Sequence, residues 1–85
     1  MYPGMSPEQC RAARAWLDWT QQELARRAGV GLSTERDFEK GERTPIPNNL
    51  AAIRRAIEDA GIELIFSKAS GSAAGIRYRD AGESA

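Results

Sequence analysis

Short helical segments, each with its own start and stop, constrain this chain most, because none is long enough to stand without packing on another. Ser6-Pro7-Glu8-Gln9 has the form of a capping box: Ser6 as N-cap, Pro7 at the first helical position, and Gln9 three residues on to reach back. Cys10, Ala13 and Leu17 then recur at three- and four-residue spacing, predicting a first helix over 7–17 with Glu8, Arg11 and Asp18 left in water. Thr20 and Glu23 repeat the box, and Leu24, Ala25 and Ala28 make the inner stripe of a second helix over 21–28. Gly29 can take the left-handed backbone that closes a helix, and Val30 after it can pack back. A third helix is predicted over 32–40, with Phe38 its one large inward apolar residue and Gly41 at its end.

Thr44-Pro45-Ile46-Pro47 reads as an extended connector, and Pro47 can itself open a fourth helix over 47–60. Leu50, Ile53 and Ile57 would line its buried face, with Arg54, Arg55, Glu58 and Asp59 on the wet faces and Gly61 at the stop. From Ile62 the period changes to two. Ile62, Leu64 and Phe66 alternate with Glu63 and Ile65, and Ile76 and Tyr78 alternate with Arg77 and Arg79, which predicts two strands. The Ser-, Ala- and Gly-rich stretch 67–75 reads as a long mobile hairpin loop, 80–85 as a disordered tail, and 1–5 as an N-terminal extension without pattern.

At 85 residues one compact core is expected. Lys and Arg number 12 and so do Asp and Glu, so net charge supplies no signal for nucleic acid and the case must rest on local pattern. Histidine is absent and Cys10 is the one cysteine, which excludes an internal disulfide and any ordinary zinc ligand set; no metal or other cofactor is expected. Without a phosphate-cradling glycine loop or carboxylates paired on a cleft, no enzyme is expected either. Cys10 lies at an inward helical position and reads as a buried structural thiol. Apolar stretches are short and broken by charge, so a soluble, unexported, cytoplasmic protein without a membrane partner is the expectation.

Two short helices joined by a glycine turn, with a helix on either side, form an arrangement whose second helix can enter the DNA major groove. Thr20-Gln21-Gln22-Glu23-Leu24-Ala25, then Ala28-Gly29-Val30, then Phe38-Glu39-Lys40-Gly41-Glu42-Arg43-Thr44-Pro45 resembles the lambda-repressor and Cro family, also called the XRE family. The resemblance covers about 9–62, and the ending Ala60-Gly61-Ile62-Glu63-Leu64-Ile65 with Gly75-Ile76-Arg77-Tyr78-Arg79 is similar to a bacterial subgroup that finishes in strands. It implies a mainly α fold: a four-helix DNA-binding domain over 6–61, with a C-terminal β-hairpin over 62–79 in place of a fifth helix and available for dimerisation. The implied function is a transcriptional regulator, more often a repressor, binding a near-palindromic operator as a homodimer in the bacterial nucleoid. The alternative is a protein-binding module of the same fold, an antitoxin or an accessory regulatory subunit.

By the same resemblance Gly31, Leu32, Ser33 and Asp37 occupy base-reading positions, and Arg36 shares their side of the helix. Leu32 could meet a thymine methyl, Ser33 several bases, Asp37 a cytosine amino group and Arg36 a guanine or a phosphate. Gln21, Lys40 and Arg43 are assigned to phosphates, and Arg14 and Glu39 to a buried salt bridge between the first and third helices. Residues 20–43 hold five basic and five acidic side chains, so the segment is neutral. Glu35 stands where the family has Ile or Val, and its carboxylate must find a partner or turn outward. Gly31 replaces a Ser or Thr cap, weakening that helix start by a few tenths of a kcal/mol. Trp19 reads as core; Trp16 is expected in the core against the hairpin, with exposure at a dimer contact as the alternative.

Overall fold

The computed structural model describes residues 4–79: four helices followed by one antiparallel hairpin. The tail expected to be disordered lies outside the described residues, as does most of the N-terminal extension. Of that extension, Met5 is buried in the core, so the packed unit begins before Ser6.

Helix α1 spans Pro7–Leu17 and opens on the full capping box, with Gln9 N donating to Ser6 Oγ and Ser6 N to Gln9 Oε1, both at 3.0 Å. It stops because Asp18 takes a left-handed backbone (φ 59°) and the Trp19 amide turns back to the Arg14 carbonyl at 3.0 Å. Helix α2, Gln21–Ala28, starts on Thr20, whose hydroxyl accepts from Glu23 N at 3.0 Å. The Glu23 carboxylate instead pairs with Arg26 and Arg27, both at 2.6 Å, so the expected box is half formed. Gly29 ends the helix at φ 73° and passes the Val30 amide back to the Ala25 carbonyl, a tight turn into α3.

Helix α3 spans Leu32–Glu39 and α4 spans Pro47–Asp59, each one residue shorter than its sequence pattern predicts. Lys40 and Ala60 form the C-caps, where the last amides close three-residue bonds, Gly41 N to Phe38 O and Gly61 N to Glu58 O. Strands β1, Ile62–Phe66, and β2, Ala73–Tyr78, pair antiparallel with Leu64 opposite Ile76 and Ile62 opposite Tyr78. The second strand starts earlier than its apolar alternation suggests, because Ala73 and Gly75 pair through backbone opposite Phe66 and Ile65. The connection shrinks to 67–72 and is closed by Ser67 N to Ser72 O at 2.8 Å and Gly71 N to Ser67 O at 2.7 Å. It is a bonded turn, shorter than the long mobile loop over 67–75 that the composition predicts.

Cys10 and Ala13 of α1, Leu24 of α2, Phe38 of α3, Ile53 and Ile57 of α4, and Ile62 and Leu64 of β1 make one core. Each buried Leu, Ile or Phe there contributes about 1.5–3 kcal/mol. The hairpin is held to α1 by Gln9, whose Nε2 donates to the carbonyls of Ile65 and Gly75 at 2.9 Å each, beside the irregularity in the strand register. One side chain therefore caps a helix and satisfies both strands. Among the described residues no helix is long and apolar enough to cross a membrane.

Candidate nucleic-acid interface

The 3.6-residue period divides α3 into two faces. Glu35, Phe38 and Glu39 are buried, while Leu32, Ser33 and Arg36 are exposed and Asp37 is half-buried. Leu32 leaves 39% of its surface in water, a large apolar side chain at the start of a helix that could have hidden it. Gly31 precedes it with no side-chain cap, and Lys40 and Arg43 follow the helix exposed. Arg36 and Asp37 approach within 4.0 Å, a weak surface pair. The four side chains assigned to bases thus share the outward side of one short helix, with two cations at its end.

What fixes that helix lies beneath it. Arg14 Nε and Nη2 donate to the two carboxylate oxygens of Glu39 at 2.9 and 3.0 Å, and Arg14 Nη1 donates to the Trp19 carbonyl at 3.0 Å. Glu39 is 2% exposed and Arg14 24%, so the bridge is buried on its acidic side. Arg11 Nη1 donates to the Glu39 carbonyl, tying the end of α3 to α1 a second time. Gln21, assigned to a phosphate, instead directs its amide inward to Glu39 Oε1 at 3.3 Å. What α2 retains for an anion at its N-terminus is backbone.

Glu35 neither turns outward nor finds a cation of its own. It is fully buried, and the thiol of Cys10 lies 3.5 Å from both Glu35 Oε1 and Glu39 Oε2. Burial first, then hydrogen bonding to Glu39 and its charge, push Glu35 up to about 8, against which Cys10 and Arg14 act more weakly. Burial also acts to raise Glu39, but hydrogen bonds from Glu35, Arg14 and Gln21 outweigh it and hold that carboxyl well below the usual range. The Cys10 thiol is pushed far up by burial and then by the two neighbouring carboxyls, so it stays protonated and is not a nucleophile. Cys10, Glu35 and Glu39 bring ligand-type atoms within 4.8 Å of one another, and Arg14 already donates to both carboxylate oxygens of Glu39. Sequence reasoning did not find this cluster. Its signal was the four-residue spacing that stacks Glu35 over Glu39 on one helix face, opposite an inward cysteine.

At the far end of α1, Trp16 stacks on Tyr78 with ring centroids 4.8 Å apart, and Tyr78 Oη donates to the Trp16 carbonyl at 3.1 Å. Trp16 rests against the hairpin but is 47% exposed and Tyr78 57%, so neither belongs to the core. Trp19 packs at the core margin beneath Arg27, whose guanidinium carbon sits 4.3 Å from the ring centroid. Arg77 pairs with Glu63 at 2.9 Å across the hairpin.

No curated protein matches the chain. A helix-turn-helix family model matches residues 11–58, more than half of the chain and the whole of α2, the glycine turn and α3. With four helices in the order that architecture requires and α3 presented on α2, the chain belongs to the XRE-type helix-turn-helix family of DNA-binding regulators.

Proposed function

We propose that the protein is a sequence-specific regulator of transcription, a repressor that binds a near-palindromic operator as a homodimer with α3 in the major groove. The observation that carries this reading is the two-faced character of α3: its inner side is locked to α1 through Glu39, while Leu32, Ser33, Arg36 and Asp37 stand on its outer side. Leu32 meets a thymine methyl, Ser33 and Asp37 contact base edges, and Arg36 reaches guanine or a phosphate. Gly31 brings the backbone close without a side chain in the way. Lys40 and Arg43 bind phosphates and set register, joined by the backbone at the start of α2 beside Gln21. The role is one of occupancy at promoter DNA in the bacterial cytoplasm, not catalysis, and it needs no cofactor.

A gel shift with DNA from upstream of the protein's own reading frame tests it. Retardation competed by that duplex and not by an unrelated one is the expected result. The balance of five basic and five acidic residues in 20–43 favours one second reading, a protein-binding module acting as an antitoxin or accessory subunit. Absence of a shift at micromolar protein and low salt, with one stoichiometric protein captured from the source cell, would select that reading instead.

A further inference from the structure

Glu35 and Glu39 lie one turn apart on the inner face of α3, both buried. From α1, Cys10 and Arg14 face them; from α2, Gln21 does. The core residues of α4 and β1 are apolar, Ile53, Ile57, Ile62 and Leu64; of the charged side chains there, Arg54 pairs with Glu58 and Glu63 with Arg77, and Arg55 and Asp59 are exposed. Among the described residues, Arg14 is the one cation hydrogen-bonded to either carboxyl group, since Arg11 reaches only the Glu39 carbonyl. One guanidinium balances one carboxylate. A second ionised carboxylate in the same dry space has nothing to balance it, so the cluster needs a proton. Glu35 Oε2 is buried with no hydrogen-bond partner, so nothing there compensates a full negative charge on that carboxyl group.

We infer that Glu35 and Glu39 form a proton-binding site under α3, occupied by one shared proton that seats the helix on α1, so that alkalinity loosens the surface presented to DNA. The consequence for DNA rests on the reading of α3 as the recognition helix; the proton site does not. Glu35 is raised to about 8 from an ordinary 4.5. Between those values the folded chain holds a proton that the unfolded chain has released, so stability falls as pH rises through the window and levels above it. Loss of the proton leaves two negative charges one turn apart beside a single guanidinium, and α3 is the element both push on.

Carbon-detected NMR of the full chain reads the site without any substitution. A Glu35 carboxyl midpoint near 8 is expected, and one near 4.5 overturns the inference. In urea unfolding across the same range, the wild-type unfolding constant is expected to rise by up to about tenfold per pH unit, the limit for one linked proton, and that of Glu35→Gln to stay nearly flat. Equal slopes in the two proteins would overturn it. At constant salt above pH 8, operator affinity is expected to fall by up to about tenfold per pH unit in the wild type and much less in Glu35→Gln. A flat wild-type affinity beside a midpoint near 8 removes the link to DNA. No DNA binding at any pH beside that midpoint defeats the functional reading and leaves the proton site supported.

Discussion

Arg14 shows how much one side chain can determine at the residue scale. Its three donors reach Glu39 and the Trp19 carbonyl, so a single guanidinium neutralises a buried carboxylate, ties down the turn after α1 and orients α3. Arg14→Met strands Glu39, and because Arg14 is partly hydrated the expected loss is roughly 3 kcal/mol, the lower end for a broken buried pair, read by urea denaturation at pH 7. On the outer face a different division holds. Arg43→Ala is expected to weaken binding to every duplex about equally and to reduce the salt slope by about one, whereas Ser33→Ala and Asp37→Ala shift preference between sequences by about 1–3 kcal/mol. Competition gel shifts separate the two effects, and identical behaviour of the three variants would remove the distinction between positioning and reading. The sequence could not foretell the fate of Glu35. The resemblance placed an apolar residue there and its charge left it to find a partner or turn outward, and the outcome depends on Cys10, Glu39 and Arg14 meeting in space. Nor did the sequence show that the Gln21 amide, assigned to a phosphate, also reaches a buried carboxylate, because that contact too depends on α3 lying beside α2.

At the scale of the element, the boundaries that were legible are those set by chemistry within a turn of the chain. Ser6 with Gln9, Thr20, Gly29 and Pro47 at the first position of α4 place their helix ends without help from the rest of the molecule. Gly29 is a clean case, because a Cβ there would meet nothing within 4 Å and the only obstacle is its φ of 73°. Gly29→Ala is therefore expected to cost about 1–2 kcal/mol through backbone strain alone. For a chain this size the matching fall in Tm is several degrees, measurable by circular dichroism. The hairpin was legible in its apolar half and obscure in its small-residue half. Ala73 and Gly75 have little strand propensity, and their pairing is enforced by β1 and, at Gly75, by Gln9 from across the fold.

For the whole molecule, charge and association decide what the fold can do. A neutral reading segment predicts a shallow salt dependence, on the order of 4–6 phosphate contacts per dimer, measurable as the slope of log affinity against log salt. The hairpin leaves two strand edges, with the half-exposed Trp16 and Tyr78 rings beside them, and a second copy is the expected occupant. Sedimentation of the wild type should give a dimer, and Trp16→Ala with Tyr78→Ala should shift it toward monomer. A monomer in the wild type at concentrations that saturate DNA would exclude that surface.

The Gln9 amide has a consequence at longer range. It clasps both strands near the start of α1, while Arg14 grips α3 near the other end of the same helix. Copies joined through their hairpins would then be separated by stiff struts rather than by tethers, and the distance between their two gripping surfaces would be set like the jaws of a fixed caliper. Inserting two base pairs at the centre of the operator rotates one half-site by about a fifth of a turn and should abolish paired occupancy while sparing attachment to a single half, which footprinting can distinguish.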